Sequence, residues 1–200
     1  MANTNSKAER TKQFIIEKTA PVFNAKGYAG TSLSDLTSAT GLTKGSIYGN
    51  FENKDEVALA AFDYNFKRVN DYMKTRILAT ENSVERLLAY PAVYRNFLKI
   101  SFLQPGCPIL NTSTEADDTH PLLKQKAADA LSFWKKSIEN QINRGIQRRE
   151  IKPGTNPSEI AIIMMSLIEG AIMQAKVTGR SVELKVAMDF LEKLIKGLSA

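Results

Sequence analysis

Between residues 32 and 57 the chain signals the start of a helix three times, and that spacing leaves little freedom in what it can fold into. Ser32 with Asp35 three residues later, Thr43, and Asn53 with Glu56 three residues later each place a side-chain oxygen where it can accept from the first free amides of a helix. Gly41 ends the first of these segments, and only Leu42 and Thr43 separate it from the next. The second segment, Lys44 to about Asn50, is too short to be stable alone, because nucleating a helix costs more than a few propagation steps return. Its neighbours must hold it, and Ile47 and Phe51, four residues apart, are the apolar pair that faces them. Lys44, Gly45, Ser46, Tyr48, Gly49 and Asn50 are left facing outward.

Upstream, Ile15, Thr19, Val22 and Phe23 fall on one face of a helix from Ala8 to Lys26, with Gly27 at the expected left-handed cap. Pro21 removes one hydrogen bond from that helix and predicts a slight bend. Leu33, Leu36 and Ala39 are the predicted buried face of the second helix. Downstream, Asn53 opens a long fourth helix, and Asn82 with Glu85 opens a fifth, expected to run toward Phe102. Residues 100 to 114 carry no charge and contain Pro105, Gly106 and Pro108, which predicts a break or a short helix. Pro121 suits the first turn of a long helix reaching about Glu150. In IKPGTNPSE, Asn156 is the cap, Pro157 sits in the first turn and Glu159 completes a capping box; helices from Pro157 to about Val177 and from Ser181 to about Leu198 close the chain. With no strand pattern or repeat, this predicts an all-α fold of about nine helices. An N-terminal three-helix helix-turn-helix domain spans 1–52, and a C-terminal helical domain spans 53–200.

A chain of 200 residues, 43% hydrophobic and 24% charged, is an ordinary globular composition. Its formal charge of +6 and pI near 9.3 suit an anionic partner and do not by themselves demand one. The single cysteine, Cys107, excludes an internal disulfide and a thiol-rich zinc site. The start, MANTNSKAERTKQF, lacks an apolar signal core, and purely apolar stretches such as IAIIMM fall far short of the ~20 residues of a membrane helix. A cytoplasmic protein with no membrane partner is expected. Glycine-rich phosphate loops, metal-ligand spacings and serine elbows are absent from the sequence, so an enzyme is not expected.

Residues 8 to 57 resemble the N-terminal domain of the tetracycline-repressor-like (TetR) family of bacterial regulators. The resemblance is carried by Ile15-Ile16, Val22-Phe23, Lys26-Gly27-Tyr28, Gly30-Thr31-Ser32-Leu33-Ser34-Asp35-Leu36, Gly41-Leu42-Thr43-Lys44-Gly45-Ser46-Ile47-Tyr48, Phe51 and Asn53-Lys54-Asp55-Glu56. Two positions depart from the family pattern: Thr37, where alanine is usual, and Gly49, where a large ring is frequent. The resemblance implies that Thr31, Ser32, Thr43, Tyr48 and Lys54 anchor phosphates, and that Lys44, Ser46, Gly49 and Asn50 reach base edges. Lys7, Arg10 and Lys12 are candidates for an arm near the duplex, or for an ordinary solvated terminus.

The resemblance also implies a homodimer that places two reading helices about 34 Å apart, joined by a four-helix interface from the last two helices. The interface residues expected there are Leu167, Gly170, Ala171 and Gln174 from the eighth helix and Leu184, Ala187, Leu191 and Leu194 from the ninth. It implies a small-molecule effector in the middle of the chain, with Phe62, Phe66, Tyr94, Phe97, Phe102, Cys107, Trp134, Met164 and Ile168 as the candidate lining. Aromatic and methionine side chains suit such a pocket and equally suit any helical core. PGCPILNTSTEADDTHP, residues 105 to 121, resembles a segment in one branch of the family. Within it Cys107 is a candidate thiol sensor of electrophiles or oxidants, and otherwise a small buried group. Glu115, Asp117, Asp118 and His120 are the one possible divalent-ion cluster, but acids before a helix more often serve its positive end, so no metal or cofactor is expected. The function expected is a repressor released from its operator by a small molecule. The alternatives are a Cys107-based sensor of the same family and a helical interaction module that binds no DNA.

Overall fold

The computed structural model describes residues 6–200. Among them are nine α-helices: α1 (Lys7–Gly30), α2 (Leu33–Thr40), α3 (Lys44–Tyr48), α4 (Lys54–Ile77), α5 (Ser83–Tyr94), α6 (Pro108–Ala116), α7 (Pro121–Gln147), α8 (Pro157–Thr178) and α9 (Val182–Lys196). Two single 3-10 turns, Phe97–Lys99 and Ser101–Leu103, lie between α5 and α6. The described residues form no strand, only an isolated bridge between Ile151 and Ser199.

The caps explain where helices begin. Ser32 Oγ accepts from Asp35 N at 3.1 Å while the Asp35 carboxylate accepts from Ser32 N at 2.9 Å. Thr43 Oγ1 accepts from Ser46 N, and Asn53, Asn82 and Asn156 each accept through Oδ1 from amides two or three residues on. Gly41 takes the left-handed conformation after α2, with φ of 69°. Three boundaries differ from expectation. α1 does not end at Lys26 with Gly27 as its cap: it kinks at Gly27 and continues to Gly30. α5 stops at Tyr94 instead of running toward Phe102, because the chain turns there to bury Phe97 and Leu103, each 1% exposed, through the two 3-10 turns. α7 stops at Gln147, and Arg149 adopts a positive φ before the loop.

The chain separates into two compact units, one holding residues up to Arg68 with Pro108–Ala128, the other Val69–Cys107 with Asp129–Ala200. The first unit therefore includes α6 and the start of α7, which lie outside 1–52. Its core is Ile15, Ala20, Phe23, Leu36, Ile47, Phe51, Val57, Ala58 and Ala61.

In the second unit α9 packs on α8 and α5. Arg95, the residue after α5, bonds Asp189 at 2.8 Å and Glu192 at 2.7 Å, fixing the charged edge of α9. α8 is long and apolar enough by length and composition to cross a membrane, with a mean hydropathy of 1.6. It is nonetheless a core helix, since Ile160, Ala161, Met164, Ile168, Ala171, Ile172 and Ala175 are buried against protein.

Candidate functional site

The shortest helix is held from beneath. Ile47 is fully buried and Phe51 is 2% exposed, both in the core of the first unit, and Leu42 and Tyr48 pack partly against it. The opposite face is polar: Lys44 and Gly45 are exposed, and Ser46, Tyr48 and Asn50 are half-buried. The Tyr48 hydroxyl and the Lys44 ammonium form no hydrogen bond among the described residues, whereas Asn50 Nδ2 donates to the Ser46 carbonyl at 2.9 Å and keeps its oxygen for other donors. A Cβ at Gly49 would stand 3.1 Å from the Gly45 carbonyl, so glycine lets this last turn close tightly where a large ring is otherwise frequent.

Of the phosphate-anchor candidates, Ser32 and Thr43 are exposed at the starts of α2 and α3. The Ser32 hydroxyl also donates to the Asp35 carboxylate, at 2.9 Å. Lys26, 2.6 Å from Asp35, together with the Ser32 donors, holds that carboxyl down at about 2. Lys54 lies in the first turn of α4 with Nζ 4.3 Å from the centre of the Tyr28 ring. Thr31 is different. It is fully buried, and its hydroxyl donates to the Gly27 carbonyl at 2.6 Å, so its side chain closes the end of α1 and is not free to reach a phosphate. Lys7, Arg10 and Lys12 lie on α1 and form no arm; Lys12 pairs with Glu56 at 2.7 Å and sits over the Phe51 ring.

Behind this face lies a clamp that the sequence does not announce. Gly27 has φ of 74°, and a Cβ there would fall inside the Glu115 carboxylate. That carboxylate, from the end of α6, accepts from Tyr28 N at 2.7 Å and Ala29 N at 2.8 Å. Asn111, one turn earlier on α6, donates to the Asn24 carbonyl at 2.9 Å. The Tyr28 hydroxyl donates to Asp55, a bond that with burial pushes the phenol up to about 12, and His120 meets the Tyr28 ring edge-on at 4.5 Å. Glu115 and His120, two of the conceivable metal ligands, are thus occupied in packing, and no three acidic, histidine or cysteine groups among the described residues are placed to share an ion.

The candidate effector lining divides between the units. Phe62 and Phe66 stack at 6.3 Å in the first, where Phe62 borders a void of about 30 Å³, room for about one water. In the second, Tyr94 stacks on Phe97 at 6.0 Å and tilts against Trp134 at 6.1 Å, Met164 and Ile168 are fully buried, and Phe102 sits apart, edge-on to Tyr72 at 5.4 Å. Cys107 is buried, and its thiol donates to Glu169 Oε1 at 3.0 Å. Glu169 is absent from the expected set; its signal is a lone acid inside the apolar run IIMMSLIEGAIM. Burial pushes its carboxyl up to about 7 against the lowering effect of Cys107, and Oε2 is buried with no hydrogen-bond partner.

The expected interface residues divide as well. Leu184 and Leu191 are fully buried and Ala171 is 3% exposed, so these three are core of the second unit. Leu167, Gly170 and Ala187 are half-buried and Gln174 exposed, and with Ala171 they line an open groove of about 640 Å³ that Val182, Val186 and Phe190 complete; Leu194 is half-buried outside it. α9 is apolar on two faces. One is spent on α8 and α5; the other leaves Val186 64% and Phe190 57% exposed.

A very short helix fixed by two buried side chains, with a polar outer face and capped helices on either side, is the reading element of a helix-turn-helix DNA-binding regulator. Residues 15–61 match the family described as bacterial regulatory proteins, tetR family, and residues 83–191 match the tetracyclin repressor-like C-terminal domain. The chain belongs to the TetR family of transcriptional regulators and is not an enzyme. It is similar to the crystal structure of a TetR-family regulator from Cytophaga hutchinsonii, with 47% identity, 99% of each chain covered and a TM-score of 0.91. A TetR regulator from Chloroflexus aurantiacus is 35% identical over 96% of this chain and 98% of its own, also with a TM-score of 0.91. The HTH-type transcriptional repressor DhaR from Mycobacterium sp. (strain GP1) is 26% identical over 83% of this chain and 82% of its own.

Proposed function

We propose that the protein is a homodimeric, sequence-specific repressor that leaves its operator when a small molecule binds the second unit. The observation that carries this reading is the α3 face, where Ile47 and Phe51 are buried and Lys44, Ser46, Tyr48 and Asn50 stand outward with donors to spare. Ser32, Thr43, Tyr48 and Lys54 surround it as phosphate anchors; Lys44, Ser46, Gly49 and Asn50 reach the bases, with an asparagine-adenine pair worth about 1–3 kcal/mol of discrimination. Thr31 supports the α1–α2 turn. Repression is favoured by the similarity to DhaR, itself named a repressor. Acting on operator DNA places the protein in the cytoplasm.

Dimerisation uses the groove of α8 and α9. It offers apolar surface that the second unit leaves open, and Glu183, on its wall, has a buried carboxyl oxygen without a partner. The reading head is residues 1–52 and the regulatory part 53–200. An effector acts by favouring the conformation in which two reading heads no longer match the half-sites. α6 starts at Pro108, directly after Cys107, and its Glu115 grips residues 28 and 29 just before α2, which gives the chain a continuous mechanical route to the reading head.

Tyr48→Phe and Lys54→Ala test the reading. Tyr48→Phe removes a hydroxyl with no hydrogen-bond partner among the described residues, so folding and dimerisation are expected to be unchanged while operator affinity falls by at least about tenfold, as befits charge-assisted bonds in both copies. Lys54→Ala is expected to lower the slope of log affinity against log salt by about 2 per dimer. Parental affinity and slope in both variants, measured by titration on a selected operator, would refute the assigned phosphate roles.

A further inference from the structure

Other acids of the second unit find a cation or amide: Glu150 accepts from Ser83 N at 2.7 Å, Asp189 and Glu192 share Arg95, and Glu183, whose Oε2 is likewise buried without a partner, has Oε1 3.5 Å from Arg180. Glu169 is not served in this way. Its Oε1 holds the weak thiol donor of Cys107, and its Oε2 is sealed from solvent with nothing to accept from. A buried acceptor left unsatisfied costs free energy, more if charged.

The surroundings narrow what would satisfy it. Tyr94 is fully enclosed, and its phenol is pushed well up by burial and then by the nearby Cys107 and Glu169, so ring and carboxyl are electrostatic neighbours. Phe97 and Trp134 flank that ring. Lys176, seven residues along and the only lysine or arginine of α8, is engaged by the Pro105 carbonyl. A buried acid beside an aromatic cluster built on Tyr94 is suited to a desolvated organic cation, with rings attracting through their negative faces and the carboxylate supplying the counter-charge.

We propose that the effector of this protein is an organic cation, an amine or quaternary ammonium carried on an apolar body, which pairs with Glu169 Oε2 among Tyr94, Phe97 and Trp134. This rests on the reading of the second unit as the effector site. The arrangement excludes anionic effectors and leaves neutral ones without the charge pair. Binding a cation would also keep Glu169 ionised.

Trp134 is the only tryptophan of the chain and therefore reports on the site by its emission. The full-length protein is titrated with benzyltrimethylammonium and with neopentylbenzene, its neutral isostere of the same shape, following Trp134 fluorescence in the parent and in Glu169→Gln. Expected are saturable quenching by the cation, at least tenfold weaker binding of the isostere, and a loss of at least tenfold in cation affinity in Glu169→Gln with the isostere unaffected. If both probes bind the parent equally, or Glu169→Gln binds the cation as well as the parent does, the cation assignment is overturned and the effector site itself survives. If neither probe moves Trp134, both are overturned. Melting curves of Glu169→Gln confirm that it is folded.

Discussion

Replacing Val186 and Phe190 together by aspartate is expected to give a folded monomer whose operator affinity is at least about a hundredfold below that of the parent. The two side chains point away from the core of the second unit, so aspartate at these positions creates no cavity and buries no charge in the monomer. In a dimer they would lie face to face with the other copy's α8 and α9, where each fully buried apolar side chain contributes about 1.5–3 kcal/mol and each buried carboxylate opposes association. Once the link between two reading heads is lost, the second half-site must be bound as a separate event, which removes an effective-concentration advantage of about 10²–10⁴. Sedimentation and operator titration check both parts. A variant that remains dimeric would show that the groove is not the interface.

Glu169→Gln is expected to be more stable than the parent at pH 8, and its advantage over the parent should grow by about 2 kcal/mol between pH 5 and pH 8. The sign follows from the raised carboxyl, held near 7 in the fold against an ordinary value of 4.5. Below 4.5 the group is protonated in both states and contributes no pH dependence. From 4.5 to 7 the unfolded chain gives up its proton while the folded chain keeps it, so the parent loses stability as pH rises; above 7 the loss is complete and constant. Glutamine has no such titration, and comparing two pH values removes whatever its buried amide costs. In a chain of this size the change corresponds to roughly 5 °C in melting temperature, read at one fixed protein concentration. An identical gap at both pH values would mean that Glu169 is not desolvated in solution. Stability lost to an unsatisfied acid is what a binding group would show, so this result bears on the effector class as well as on the fold.

Local chemistry explains why so much of the fold was legible. Ser32, Thr43, Asn53, Asn82 and Asn156 cap helices where the sequence places caps, because a cap needs only its own first turn. The inward pair Ile47 and Phe51 follows from spacing alone. Pairings across distance were not legible. Glu115 serves amides 86 and 87 residues away, and no local pattern marks it. On α9 the residues 184, 188, 191 and 195 and the residues 182, 186 and 190 are both apolar at helical spacing, so periodicity could not decide which face α8 would cover, and Leu184 and Leu191 were assigned to the wrong one. Thr31 was placed among the phosphate anchors by the resemblance, and no local pattern shows that it is buried with its hydroxyl donating to the Gly27 carbonyl. Glu169 was visible as an acid in an apolar run, and only its packing reveals that one oxygen is left without a partner.

The most direct measurement selects bound fragments from the source genome with the purified protein and footprints the site at two salt concentrations, for the parent and for Lys44→Ala. Expected is a discrete site of two related half-sites spaced by a whole number of helical turns, with occupancy falling steeply in salt and the Lys44→Ala protein losing preference at defined base pairs. Retention of all fragments alike, or an unchanged footprint in Lys44→Ala, would contradict an outward face of α3 that reads DNA.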